Sequence, residues 1–277
     1  MARKSSFITV DSSNFPPQQG ESEATALVRP LRLLSFNIQV GISTESYRHY
    51  LTRSWQHVLP FESRSRNLDR IAKLLSQYDV VALQECDGGS MRSAYINQVK
   101  YLAEKSGHPY WYQQLNRNLG PFAQNSNGFL SRLQPRQVSQ HKLPGLLPGR
   151  GAIIAKFGRQ DDPLVLVMMH LALSFRAQCQ QLERVYELIR PYRHVVLMGD
   201  LNNPSEQLLT RTPLKHSDLL PLPGVTHTFP SWKPARALDH ILVSPGLQIR
   251  NAGVVCFPVS DHLPISVEIA MPAGYHQ

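Results

Sequence analysis

Six short apolar runs in this chain each carry, at or just past one end, side chains that a buried strand does not tolerate casually. LLSFN closes on Asn37, VVALQE on Glu85, VLVMMH on His170, and VVLMGD on Asp200 with Asn202 two residues on. LDHILV holds Asp239, and SDHLPIS holds Asp261 and His262. Runs this apolar belong to strands covered on both faces, where an unpaired carboxylate or imidazole is costly. Such endings, repeated from residue 37 to residue 262, point to strands that deliver polar groups to one catalytic floor.

The 277 residues, 42% of them hydrophobic, suffice for one large core. One domain is expected over 30–277, preceded by a tail over 1–29. That tail is rich in Ser, Pro, Gln and Glu and has no hydrophobic period, so it is expected to be disordered or loosely attached. No stretch approaches the roughly 20 apolar residues that a membrane span needs. The opening MARKSSFITV lacks an apolar segment after its basic residues, so no secretory leader is expected. Cys86, Cys179 and Cys256 are odd in number and unlike any zinc spacing. They read as reduced thiols of a cytoplasmic protein, packed as small hydrophobes.

Between 31 and 270 the pattern alternates strands and helices, which favours α/β layers over an all-β barrel. After the strand LRLLSFN, the stretch from Gly41 to Ser63 reads as a small covering element. A helix capped by Ser63 then places Leu68, Ile71, Leu74 and Leu75 on one face. A second helix is expected over 91–106, with Tyr95, Val99 and Leu102 inward and Gly107 as its stop. HPYWYQQL, NGFLSRL and GRGAIIAKF read as strands, and KLPGLLPGRG as a surface loop. The strand LVLVMMHL leads to a helix over 175–189 with Leu182, Val185 and Ile189 inward. HVVLMGD, LDHILV and LPISVEI complete the set.

The elements SFN, LQE, NGFLSRL, the strand ending in MHL, GDLNNP, LDHI and SDHLP occur in one order over residues 31–270. In that order they resemble the endonuclease/exonuclease/phosphatase superfamily, the DNase I-like fold, in a bacterial-type member. The resemblance implies a four-layered α/β sandwich of two packed mixed β-sheets flanked by helices. It also implies a divalent-metal hydrolase of phosphate esters, using Mg²⁺ with Mn²⁺ as a substitute. By the same resemblance Glu85 is the principal metal ligand, with Asn37 beside it and Asp261 in a second or alternative position. Gln39 stands where some members carry Asp, which leaves that second position less acidic. Glu85 and Asp261 are, on chemistry alone, hard oxygen donors of the kind Mg²⁺ prefers.

Asp200 and Asn202, two apart, would project to one side of an extended segment, one accepting a water's proton and the other orienting that water. The local alternative is an Asx turn. The resemblance pairs Asp239 with His262, the acid orienting the imidazole toward the scissile phosphate, and gives His170 a part in leaving-group departure. Asn127 corresponds to a phosphate-contacting Asn, and Arg132 is a second substrate-binding candidate. His240 should turn away from Asp239.

The excess of basic residues points to an anionic partner. Residues 92–150 hold eight Lys or Arg and one Glu, a surplus of seven in a chain of formal charge +9. Tyr95, Tyr101, Tyr110, Trp111, Tyr112, Phe122 and Phe129 are interleaved with them. That mixture suits DNA or RNA, held through phosphates and by stacking. A lipid headgroup or small phosphorylated metabolite is the alternative, with TFPSW as a rim loop. A silent binding module is disfavoured because the catalytic-type residues are all present.

Overall fold

The computed structural model describes residues 29–41, 61–145 and 149–270, with the backbone alone for 61–63. The expected tail, apart from Arg29, and nearly all of the expected covering element lie outside these residues. The described strands are β1 (Leu31–Asn37), β2 (Val80–Asp87), β3 (Tyr110–Asn118), β4 (Gln124–Ser131), β5 (Gln137–Lys142), β6 (Gly151–Phe157), β7 (Leu164–His170), β8 (His194–Asp200), β9 (Leu220–Pro221), β10 (Asp239–Val243), β11 (Ile249–Val254) and β12 (Ile265–Ile269). They form two six-stranded sheets, in the orders β11-β12-β1-β2-β4-β3 and β5-β6-β7-β8-β10-β9.

Each sheet contains one parallel pair, β1 with β2 and β7 with β8, and the other pairings are antiparallel. A parallel pair needs a crossover, which helices α1 (Phe61–Leu75) and α3 (Phe175–Ile189) supply. Helices α2 (Gln98–Ser106) and α4 (Ser205–Arg211) complete the outer layers.

The sheets pack face to face through Leu33, Val80, Ala82 and Phe129 on one side and Ile153, Leu166, Met168, Val196 and Met198 on the other. The outer face of the first sheet, with Leu34, Phe36, Val81 and Leu83, is covered by Leu68, Ile71 and Leu75 of α1 and by Val99 and Leu102 of α2. Val165, Val167, Val195 and Leu197 of the second sheet meet Leu182, Val185 and Ile189 of α3. These central strands are therefore covered on both faces, which is why they read as unbroken apolar runs. The expected four-layered sandwich is the architecture observed.

Three local expectations are corrected. Helix α1 begins at Phe61, so Ser63 lies within it and is not its cap. Residues 91–106 are not one helix: Met91–Ser93 form a 3₁₀ turn, Ala94 and Tyr95 have positive φ, and α2 starts only after its Asn97 cap. The cause is Asp87, whose carboxylate accepts the Gly89 and Ser90 N–H groups, the Ser90 and Ser93 hydroxyls and the Arg92 guanidinium. Those bonds fold the chain back on the end of β2, and Tyr95 is left 69% exposed. Gly107 does end α2, in a left-handed cap at φ 73. Cys86 is buried as expected, whereas Cys256 is exposed.

The parallel pairs bring the C-terminal ends of β1, β2, β7 and β8 to one edge of the sandwich. Because β10 and β12 run antiparallel to β8 and β1, their starts arrive at the same edge. Asp239 therefore opens β10 rather than closing a strand, and Asp261 and His262 sit in the bend before β12. Gly199 permits the close approach of β7 and β8. At φ 151 it has no room for a side chain, since a Cβ would stand 1.8 Å from the Met169 carbonyl oxygen.

Candidate active site

Asp200, His262, His170 and Asn37 meet where the two sheets converge. Asn37 Nδ2 donates across the sheets to Asp200 Oδ2 at 3.0 Å. The same oxygen lies 3.5 Å from His170 Nε2 and 3.8 Å from His262 Nε2. On its other edge His262 donates from Nδ1 to Asp239 Oδ2 at 2.7 Å, which leaves Nε2 turned toward Asp200. The Thr228 hydroxyl donates to the same Asp239 oxygen at 2.5 Å. Phe229 stands against the imidazole, with ring centroids 4.9 Å apart. All six of these polar residues are buried.

Their electrostatics follow from that burial. Desolvation, then the neighbouring Asp239, pushes the Asp200 carboxyl up to about 7. His262 is raised as well, for a different reason: burial opposes its charge, but Asp239 and Asp200 overcome it and hold the imidazole well above its ordinary range. His170, buried and facing Arg150 and His262, is held well below that range and is neutral. The floor thus carries a carboxyl that titrates near neutral pH, one cationic imidazole and one neutral imidazole.

Glu85 occupies the irregularity in the β2–β4 pairing and takes a φ of 55. Gln39, Val40 and Asn202 also have positive φ, so backbone strain is concentrated around the site. Asp261 follows Ser260, whose hydroxyl donates to the Asn37 carbonyl at 2.7 Å and ties that bend to β1. Burial raises the Asp261 carboxyl to about 6, His262 opposes the rise, and Glu85 and Asp239 add to it.

A divalent cation beside Glu85 and Asp261 would relieve that repulsion, and the Asn37 amide supplies a further oxygen. The donor set therefore fits a hard cation. Asp200, Asp239 and His262 also place ligand atoms within 4.8 Å of one another. There, however, the His262–Asp239 hydrogen bond already uses one atom from each residue, so the trio is described best as a proton network.

Asn127 is buried beside the cavity, its amide donating to the Gly151 carbonyl. His240 turns away as expected, onto the Asn203 carbonyl. Two expectations are corrected. Asn202 does not extend β8: its N–H donates to Asp200 Oδ1 and its amide to the Leu171 carbonyl, so GDLNNP forms an Asx turn. Arg132 stands at the far end of β4, donating to the carbonyls of Ser76, Tyr78 and Ser106. It is a structural clamp remote from the floor.

Arg150 and Thr228 were missed from the sequence. Arg150 lines a cavity of about 740 Å³ with Glu85, Asn127 and His170, and interacts with both Glu85 and Asp200. It lies inside KLPGLLPGRG, where glycine and proline signalled only a loop. Thr228 belongs to TFPSW, which braces the Asp239–His262 pair rather than forming a rim.

Residues 34–262 match the sequence profile of the Endonuclease/Exonuclease/phosphatase family. No curated protein sequence matches the chain. Among solved structures, an endonuclease/exonuclease/phosphatase from Beutenbergia cavernae DSM 12333 superposes with a TM-score of 0.68 at 20% identity, over 89% of this chain and 73% of the other. A mannosyl-6-phosphatase from Bacteroides thetaiotaomicron VPI-5482 gives 0.61 at 16% identity, over 87% and 100%. TDP2 of D. rerio, complexed with single strand DNA product, gives 0.61 at 16%, over 87% and 99%.

Proposed function

Because the chain belongs to the endonuclease/exonuclease/phosphatase family, we propose that it is a divalent-metal-dependent phosphoesterase, specifically a phosphodiesterase that cleaves DNA or RNA with an activated water. The observation that carries this reading is the convergence of Asn37, His170 and His262 on one oxygen of Asp200. Glu85, Asn37 and Asp261 would hold Mg²⁺, or Mn²⁺ in its place, and the cation would neutralise charge on the phosphoryl oxygens.

Asp200, poised near neutral pH, takes the proton of the attacking water, and the neighbouring Asn37 amide orients the carboxylate for that role. His262, kept cationic by Asp239, hydrogen-bonds from Nε2 to a phosphoryl oxygen and stabilises the charge that develops there. Arg150 adds a second positive charge, and Asn127 a neutral donor. His170, neutral and buried, orients the leaving oxygen rather than protonating it.

Exposed Met91, Leu119 and Phe122 favour a second reading, an ester presented by a lipid headgroup. They gather around the β3–β4 turn, where the Met91 N–H donates to the Pro121 carbonyl. Purified protein should be given Mg²⁺ with single-stranded DNA, RNA, phosphoinositide and sphingomyelin vesicles, and a sugar phosphate. Turnover of a nucleic acid supports the leading reading; turnover confined to vesicles replaces it with the second.

A further inference from the structure

The basic residues of 92–150 divide into two groups in space. Five of the eight are occupied elsewhere: Arg92 pairs with Asp87, Lys100 with Glu104 and Lys105 with Asp69, Arg136 donates to Gln160, and Arg132 clamps three carbonyls. Arg117 and Arg150 instead line the active-site cavity, joined by Arg176 from the first turn of α3. Three separate elements thus place an arginine on the wall of one space: β3, the segment entering β6, and α3. The Arg117 stem lies against Gly149, where an added Cβ would come within 3.1 Å of it, so Arg117 and Arg150 are neighbours.

Arg150 is the cation that interacts with Glu85 and Asp200 and therefore serves the phosphate under attack. Arg117 and Arg176 are solvent-exposed on the cavity wall, and neither makes an ion pair within the described residues. We propose that Arg117 and Arg176 form a second phosphate subsite, which seats the phosphate adjacent to the scissile one on a single polynucleotide strand. The inference rests on the phosphoesterase reading above and narrows its substrate.

Two further features favour a strand over a compact sugar phosphate. Asn116, Asn125 and Gln180 line the same cavity and supply amides suited to sugars and base edges, while Leu173, 78% exposed, presents an apolar face. A cavity of about 740 Å³ is the size that encloses a drug-sized ligand, enough for one or two nucleotides of a flexible strand. An unpaired strand presents the base edges that those amides would reach, whereas a duplex keeps them paired.

The test compares kcat/KM for a dinucleoside monophosphate with kcat/KM for the same compound carrying an added 5′- or 3′-phosphate. Wild type should prefer one phosphorylated form by at least about tenfold, the value of one good charged contact. In Arg117→Gln/Arg176→Gln that ratio should fall below about threefold, and Arg117→Lys/Arg176→Lys should restore most of it. Wild type should also cleave a single-stranded oligonucleotide faster than the same sequence as a duplex. No preference in wild type, a preference that survives in the double Gln variant, or equal cleavage of duplex would each overturn the proposal.

Fluorescence anisotropy with a single-stranded oligonucleotide in EDTA reads the subsite without turnover. Loss of two contacts should flatten the slope of log affinity against log salt by about 1.4. Absence of metal-dependent turnover in wild type would count against the phosphoesterase reading, whereas an unchanged salt slope in the double variant would count against the subsite.

Discussion

Asp200 receives a hydrogen bond from the opposite sheet, faces two imidazoles and is buried, so its replacement removes a base and leaves its neighbours' charges uncompensated. Asp200→Ala and His262→Ala should each lower kcat at least about a hundredfold, the range of general acid-base groups, with the native circular dichroism spectrum retained. Near-normal turnover by either variant would place the chemistry elsewhere. His108 has a structural part. It is buried between the Ser106 hydroxyl and the Tyr78 carbonyl, and burial, followed by Arg132, lowers it to about 4. Its folded value is below the unfolded 6.5, so the unfolded chain binds more protons between the two. Stability from this group is complete above pH 6.5 and is lost as pH falls toward 4. Between pH 7 and pH 5, urea denaturation should show wild type losing about 2 kcal/mol relative to His108→Gln, a difference that cancels the opposite contributions of Asp200 and Asp261.

The strands and helices differ in how much they disclosed in advance. β7 and β8 were legible because both faces are covered and the polar residue at each end stands out against an apolar run. β5 and β11 were not, since an edge strand such as QVSQHK is half exposed and carries no apolar pattern. The broken helix at 91–97 was missed because local side-chain chemistry outweighs periodicity: helical spacing of Tyr95, Val99 and Leu102 is visible in sequence, while Asp87 captures the donors of Gly89, Ser90, Arg92 and Ser93 that follow it. The site divides in the same way. Glu85, Asp200, Asp239 and His262 were legible as polar interruptions of apolar runs, but Arg150 came from a loop whose position only the packing decides. Asn202 was misjudged because Asx-turn chemistry overrides strand alternation. β8 also carries the sharpest steric requirement. Gly199→Ala forces a Cβ into the Met169 carbonyl and should cost at least about 3 kcal/mol, seen as a large drop in Tm or as insoluble protein. A variant that melts with wild type would contradict the β7–β8 packing described here.

In the whole molecule the site belongs to neither sheet alone. The first sheet contributes Asn37, Glu85 and Asn127, the second contributes His170, Asp200 and Asp239, and the bend before β12 brings Asp261 and His262. Activity should therefore disappear with the cooperative loss of sheet packing rather than before it. Glu85 and Asp261 repel one another in the acidic half of the site, so EDTA should abolish turnover and Mg²⁺ or Mn²⁺ should restore it. The decisive measurement is Mg²⁺-dependent hydrolysis of an activated phosphodiester by wild type and by Asp200→Ala, prepared identically. Metal-dependent turnover in wild type that falls at least about a hundredfold in the variant is the predicted result. Equal rates in the two proteins, or full activity in EDTA, would contradict the assignment of Asp200 and its neighbours to catalysis.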